Sequence, residues 1–184
     1  MPLAPSMREA MLGVVPSLRA FAMSLSGNVD RADDLVQETL LRAIANIESF
    51  EPGSNMSAWL FTILRNLFRS EYRKRRREVE DGEGRYADSL KSHPEQPGRI
   101  EFEELKAALA ELPQDQREAL ILVGASGFSY EEAAAICRCA VGTIKSRVNR
   151  ARRRLADQLA IDGTDDDFGP DRMTRAILSA GGRG

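Results

Sequence analysis

Apolar residues recur at steps of three and four along most of the chain, the spacing that lines one side of an α-helix. From Met7 to Leu25 this repeat predicts a first helix, with Pro16 as its start or as a kink. The repeat resumes over residues 30–48 and again from about Ser57. No segment alternates polar and apolar residues as a strand does. The pattern therefore predicts an all-α fold.

A second block of helical repeats begins near Ile100. Pro113 suits the first turn of a helix. Ser129 and Glu132 have the spacing of a capping box, in which each side chain accepts a hydrogen bond from the other residue's backbone amide. A last helix is expected to start near residues 141–143. Its apolar stripe consists of Ile144, Val148, Ala151 and Leu155.

Changes in composition divide the chain into four parts. We predict two small helical domains, at residues 1–78 and 99–161. Residues 79–98 contain several Gly and Pro but few large apolar side chains, which is typical of a flexible linker. Residues 162–184 contain five Gly and an acidic stretch, so we expect a mostly disordered tail.

Charge is unevenly distributed along the chain. The 184 residues contain 26 Lys and Arg against 28 Asp and Glu, which gives a net charge of −2. Residues 65–77 and 138–154 each contain seven basic residues, with one acidic residue in the first run and none in the second. Such a run is often no more than a solvated helix face. Two runs of similar strength, each at the end of an apolar repeat, favour a polyanionic partner.

Few residues are available for metal binding or catalysis. Cys137 and Cys139 are the two cysteines, which argues against a disulfide framework and a cysteine-only zinc site. His93 is the single histidine, which argues against a multi-histidine metal site and most histidine-based catalytic groups. We therefore expect no metal, no cofactor and no enzymatic activity. No apolar run approaches the roughly 20 residues of a membrane span, and residues 1–20 make a poor signal peptide. These features predict a cytoplasmic protein.

The segment from Ser129 to Leu155 has the form of a helix-turn-helix. It combines a short capped helix, a tight connection and a longer basic helix, and the second helix of such a motif enters the DNA major groove. The alternative is a surface helix of a plain bundle, with Arg152 to Arg154 solvated. The polar residues that lie off the apolar stripe, and so could face DNA, are Lys145, Ser146, Arg147, Asn149 and Arg150.

The first basic run is interleaved with aromatic residues. Cations beside aromatic rings suit unstacked bases, because every base has a π face and every nucleotide has a phosphate. Trp59 and Phe68 also have the helical spacing of core residues, so a structural role is the alternative for them. Tyr72 and the arginines that follow it are better candidates for direct contact.

One face of the second helix combines a leucine with acids and an amide. Asp34, Gln37, Glu38 and Leu41 lie together, away from the apolar stripe of this helix. A leucine in such company indicates a protein-binding surface with Leu41 as its anchor. An isolated exposed leucine is also common and needs no function.

These features together resemble the bacterial extracytoplasmic-function (ECF) sigma factors. Residues 30–39, DRADDLVQET, look like their core-binding segment, and residues 57–66, SAWLFTILRN, look like the helix that follows it. Residues 128–134, FSYEEAA, and 141–152, VGTIKSRVNRAR, resemble their region-four helix-turn-helix. Four motifs in the expected order are far more specific than a single motif.

The resemblance implies a sigma-2 domain followed by a sigma-4 domain, in a protein that directs core RNA polymerase to promoters and initiates transcription. It implies that core polymerase contacts Asp33, Asp34, Leu35, Gln37, Glu38 and Leu41. The residues implied for the melted −10 element are Asn55, Trp59, Arg65, Asn66, Arg69, Tyr72 and Arg73. Those implied for the −35 duplex are Thr143, Lys145, Ser146, Arg147, Asn149 and Arg150.

Within that family, residues 16–22, PSLRAFA, and 26–28, SGN, look like the general stress response type of the alphaproteobacteria, the EcfG group. Such sigma factors are held inactive by a small NepR-type anti-sigma factor. A phosphorylated response regulator with its own sigma-like domain removes that inhibitor. The resemblance implies the same inhibitor here.

Two other functions fit part of the sequence. A sigma-like decoy would bind an anti-sigma factor, but such regulators carry a receiver domain, and this chain shows no alternation of strands and helices. A dimeric helix-turn-helix repressor would leave the Asp34 to Leu41 face and the Trp59 helix unexplained.

Overall fold

The computed structural model describes residues 5–81 and 97–159 of the chain. Most of the predicted linker, residues 79–98, and all of the predicted tail, residues 162–184, lie outside these described residues. The chain divides into two compact units, Met1–Ser92 and His93–Gly184. The described parts of both contain helices and turns but no strand, so the predicted all-α fold is confirmed.

The described residues of the first unit form three α-helices. They are α1 (Pro5–Ser26), α2 (Val29–Ala45) and α3 (Met56–Asp81), with a short 3-10 turn at Ile47–Ser49. Because α1 begins at Pro5, Pro16 lies inside the helix and is not its start. Gly27 has φ +67°, a left-handed conformation that costs glycine little and lets the chain reverse between α1 and α2. The Asn28 side chain then caps α2 by accepting a hydrogen bond from the Arg31 amide at 2.9 Å.

Apolar side chains from all three helices meet at the centre of this unit. The rings of Phe21 on α1 and Phe61 on α3 stack with centroids 5.0 Å apart. Leu18, Leu35, Leu60 and Leu64 surround them, and each is at most 2% exposed. This core fixes the rotation of α2 about its own axis, and so decides which of its polar residues face outward.

In the second unit, residues 97–159 form four helices: α4 (Pro97–Glu111), α5 (Gln114–Gly124), α6 (Tyr130–Cys137) and α7 (Val141–Gln158). The predicted capping box is confirmed at the start of α6. The Ser129 side chain accepts a hydrogen bond from the Glu132 amide at 3.1 Å, and the Glu132 carboxylate accepts one from the Ser129 amide at 2.9 Å. The predicted stripe of α7 is also buried, each of its four residues being at most 1% exposed.

A left-handed residue ends α6. Arg138 has φ 52° and ψ 51°, and its amide bonds back to the carbonyls of Ala134 and Ala135. This closes the helix in one residue, so α7 begins only three residues later at Val141. The α6–α7 pair is therefore the compact helix-turn-helix that the sequence predicted.

None of the helices among the described residues is both long enough and apolar enough to cross a membrane.

We predict that Phe21→Ala lowers the free energy of unfolding of the first unit by about 3–5 kcal/mol, because it leaves a cavity opposite Phe61. Trp59 is the single tryptophan of the chain and lies in the same unit, so its fluorescence in a urea titration reports this unfolding. The matched control is Leu12→Ala on the same helix. Leu12 is 56% exposed, and its truncation should change stability by at most about 0.5 kcal/mol. Equal losses in the two variants would contradict the assigned core.

Candidate functional site

The outer face of α2 presents an exposed leucine among polar residues. Leu41 is 64% exposed, and Asp34 and Gln37 are exposed beside it. Glu38 is half-buried and pairs with Arg42 one turn later at 2.7 Å. Leu35 belongs to the same predicted set but is 2% exposed, so its side chain packs in the core below this face. The face therefore combines one apolar anchor with acids and an amide around it.

Asp33 lies at the edge of this face and is engaged with α1. Its carboxylate accepts two hydrogen bonds from the Arg19 guanidinium, at 2.5 and 3.1 Å. The hydrogen bond from Arg19 lowers the pKa of Asp33 below its usual value, and the positive charge of Arg19 acts in the same direction. Asp33 thus ties α2 to α1, in addition to any role toward a partner.

The residues of this α2 face also line a groove whose other wall is formed by α3. Arg31 of α2 donates to Glu71 of α3 at 2.6 Å, and Glu71 is the single acidic residue of the basic run 65–77. Burial raises the pKa of Glu71, Arg42 lowers it, and Asp34 and Glu38 raise it further. The charges of Asp34 and Glu38 on α2 therefore influence the ionisation of Glu71 on α3.

The aromatic and basic residues of α3 divide into supporting and exposed groups. Trp59 packs against Phe50 of the preceding turn, with ring centroids 5.2 Å apart. Arg65 is only 3% exposed. The Asn55 side chain accepts a hydrogen bond from the Ala58 amide at 3.1 Å and so caps the start of α3. Asn55 itself is exposed, Trp59 is half-buried and Arg65 is buried, so these three predicted −10 residues differ in accessibility.

The other four predicted −10 residues lie further along α3, and two of them are exposed. Tyr72 is 50% exposed, and one face of its ring stacks on Phe68 at a centroid distance of 6.4 Å. Arg73 is exposed, while Asn66 and Arg69 are half-buried. The accessible tyrosine ring and its neighbouring cation have the chemistry that binds an unstacked base and its phosphate.

The polar residues of α7 face two different neighbours. Thr143, Ser146, Arg147 and Arg150 line a groove together with the first turn of α5. Lys145 lies on another side of the helix, 5.7 Å from the ring centroid of Tyr130 on α6. Asn149 is exposed. The structure thus brings four of the six predicted −35 residues into one groove, which Asp115 of α5 also lines.

Comparison with known proteins identifies both units. Residues 13–78 match Sigma-70 region 2, and residues 102–155 match Sigma-70 region 4. The ECF RNA polymerase sigma factor EcfG of Rhodopseudomonas palustris (strain TIE-1) is 72% identical over 99% of this chain and 100% of its own length. The chain belongs to the sigma-70 family, as an ECF sigma factor. It is therefore a regulatory protein that directs core RNA polymerase to promoters and initiates transcription.

Two solved structures are similar to this sigma factor. It is similar to the sigma factor RpoE of Bartonella quintana, which was crystallised in complex with the anti-sigma factor NepR. That match has 57% identity, a TM-score of 0.80, and coverage of 87% of this chain and 100% of RpoE. The anti-anti-sigma factor PhyR of the same organism matches at 20% identity and a TM-score of 0.57, over 83% of this chain and 50% of PhyR, which shows the fold alone.

Sequence reasoning missed two residues that the sigma factor places beside its predicted sites. Asp115 accepts a hydrogen bond from Arg147 at 2.7 Å, and Tyr130 lies under Lys145. Asp115 is 32 residues from Arg147 in the chain, and nothing in their spacing links them.

Cys137 is buried and Cys139 is half-buried, and the two cysteines form no disulfide bond.

We predict a pH-dependent role for Asp33 in the stability of the sigma factor. Its pKa is lower in the folded state, so the ion pair stabilises the fold above the unfolded-state pKa of about 3.9 and is lost as the pH falls through the folded-state pKa. Asp33→Asn should therefore lower the Tm at neutral pH, and the difference from wild type should shrink in acid. The measurement is the Tm as a function of pH.

A second variant, Arg19→Gln, tests the same ion pair by removing its other member. It should reproduce the pH dependence seen for Asp33→Asn, and the double variant should add little to either change. A Tm difference for Asp33→Asn that is the same at neutral and acidic pH would contradict the role assigned to this pair.

Proposed function

We propose that this sigma factor binds core polymerase through the outer face of α2 and reads promoter DNA through α3 and α7. We further propose that it serves the general stress response in the cytoplasm, without catalytic activity of its own, under the control of a small NepR-type anti-sigma factor. The observation that carries the proposal is that the two sigma-70 regions lie in separate units. Region 2 and region 4 match different units, and each unit contains one strongly cationic helix.

The polymerase-binding role of α2 rests on Leu41. A large apolar side chain that is well exposed on a folded protein gains most from burial when a partner covers it. The neighbouring residues Asp34, Gln37 and Glu38 supply polar contacts that orient the partner. Leu35 supports this surface by packing in the core beneath it. Asp33, at the edge of the surface, supports it by holding α2 to α1.

The −10 role of α3 rests on Tyr72 and the cations around it. With one ring face on Phe68, the accessible part of Tyr72 can stack with an unpaired base. Arg69 and Arg73 would hold phosphates, and Asn66, one turn before Arg69, would contact a base edge. Asn55, Trp59 and Arg65 would act by shaping and capping the helix that presents these residues.

The −35 role of α7 rests on its place in the helix-turn-helix. Its buried stripe directs Ser146, Asn149 and Arg150 away from the core, where they can reach base edges or phosphates. Thr143 lies in the first turn of α7, where backbone amides favour a phosphate. Arg147 lines the groove with Ser146 and Arg150, whereas Lys145 lies on another side of α7. Both are also engaged with side chains of neighbouring helices, Arg147 with Asp115 of α5 and Lys145 with Tyr130 of α6.

Control by a NepR-type protein is supported by the likeness to Bartonella quintana RpoE, which was solved with NepR. The decoy alternative has weaker support, since the likeness to the anti-anti-sigma factor PhyR is limited to the fold. The chain also retains seven basic residues in each of two runs, which a protein-binding decoy would not need. A simple repressor would not require the region 2 unit.

A reconstituted transcription reaction tests the proposal. Purified core polymerase, this chain and a promoter of the stress-response type should give a promoter-specific transcript. Adding a purified NepR-type anti-sigma factor should abolish that transcript. Transcription without inhibition would disprove the regulatory part alone, whereas the absence of any specific transcript at every salt concentration tried would disprove the whole proposal.

We predict that Leu41→Ala weakens binding to core polymerase at least about fivefold, because truncation of an interface anchor costs at least about 1 kcal/mol. Leu12→Ala is the matched control, since Leu12 has a similar exposure, 56%, but lies on α1. Binding is measured by titrating labelled sigma factor with core polymerase, and the Tm of both variants should stay near that of wild type. Equal weakening by the two substitutions would argue against the α2 face.

A further inference from the structure

An ion pair joins the first turn of α5 to the side of α7 that lines the groove. The Arg147 guanidinium donates to the Asp115 carboxylate at 2.7 Å, and its other terminal nitrogen lies 3.8 Å from the Cys139 sulfur in the α6–α7 turn. The Arg147 side chain is 22% exposed, against 45% for Asp115. The guanidinium is therefore held by side chains from two other parts of the same unit.

This arrangement places a negative charge within a strongly cationic surface. The basic run 138–154 contains no acidic residue of its own, and Asp115 is brought to it from α5. Arg150 and Ser146 line the same groove. A carboxylate at this position repels DNA phosphates, so it opposes binding in general.

We propose that Asp115 is a positioning residue that sets the base specificity of the −35 surface through Arg147. This assignment rests on the proposed function of α7. An arginine reads guanine through two parallel hydrogen bonds, which require the guanidinium to lie in one plane and orientation. Asp115 holds Arg147 in a single orientation before DNA arrives, and its charge disfavours sites where base contacts do not compensate for the repulsion.

Removal of the charge should shift Arg147 from reading bases to holding phosphates. Asparagine has nearly the size of aspartate but forms a weaker hydrogen bond with a guanidinium. The released side chain would then reach for the nearest phosphate, which is the same for every sequence. Binding to DNA in general should become tighter, while discrimination between bases should fall about three- to tenfold, the range expected for one ordered side chain.

The test uses the full chain with core polymerase on a pool of promoters randomised in the −35 element. Each template carries a barcode in its transcribed region. Sequencing of these barcodes in the RNA gives the base preference at each −35 position. Asp115→Asn should relax the preference at the base pair that Arg147 contacts and leave the other positions unchanged. Asp157→Asn is the matched control, because Asp157 is an exposed acid near the other end of α7. It should leave every preference unchanged.

Two further variants separate positioning from simple structural support. Asp115→Glu keeps the charge and should retain more discrimination than Asp115→Asn. In an Arg147→Ala background, Asp115→Asn should produce no further change at that base pair, because the effect acts through the arginine.

An unchanged preference in Asp115→Asn would overturn the assignment, and so would an equal decline at all −35 positions, since that is the result of general destabilisation. A wild-type protein without any −35 preference would instead overturn the proposed function of α7, and this assignment with it. The two failures are distinguishable because the wild-type profile is measured in the same experiment.

Discussion

Burial of one apolar stripe on each helix is the interaction on which both functional surfaces depend. Helices of this length are marginally stable alone, so they persist because the stripes pack together. In α2 the packing of Leu35 and Val36 turns Asp34 and Leu41 outward. In α7 the same constraint acts through the stripe that begins at Ile144. Each polar face is therefore positioned by the core behind it.

Ion pairs then decide how much of the cationic charge is available to a partner. Arg31 is paired with Glu71 and Arg147 with Asp115, while Arg65 lies inside the first unit. These arginines contribute to the count of basic residues without being fully exposed cations. Over the whole chain, acidic residues slightly outnumber basic ones, so the net charge is −2. A factor with restrained charge binds DNA weakly at random sites and depends on specific contacts for its affinity.

Much of this arrangement could be predicted from local sequence. The steps of three and four gave the helices, the spacing of Ser129 and Glu132 gave the capping box, and the position of Leu41 opposite the apolar stripe gave its exposure. Each of these depends only on the geometry of a single helix or turn. The four sigma-factor motifs likewise occupy short continuous segments, and the family they indicated is the family to which the chain belongs.

The sequence by itself therefore determined the fold class, the family and the general location of the charged surfaces. Only the tertiary structure decided which members of each motif face outward. Arg65 and Arg73 are the same residue type in one basic run, yet one is buried and the other exposed, because only one lies on the side of α3 that packs against its neighbours. Likewise, only packing brings Asp115 to Arg147. Helical periodicity fixes directions within one helix, whereas contacts between helices depend on how distant segments bury their apolar surface together.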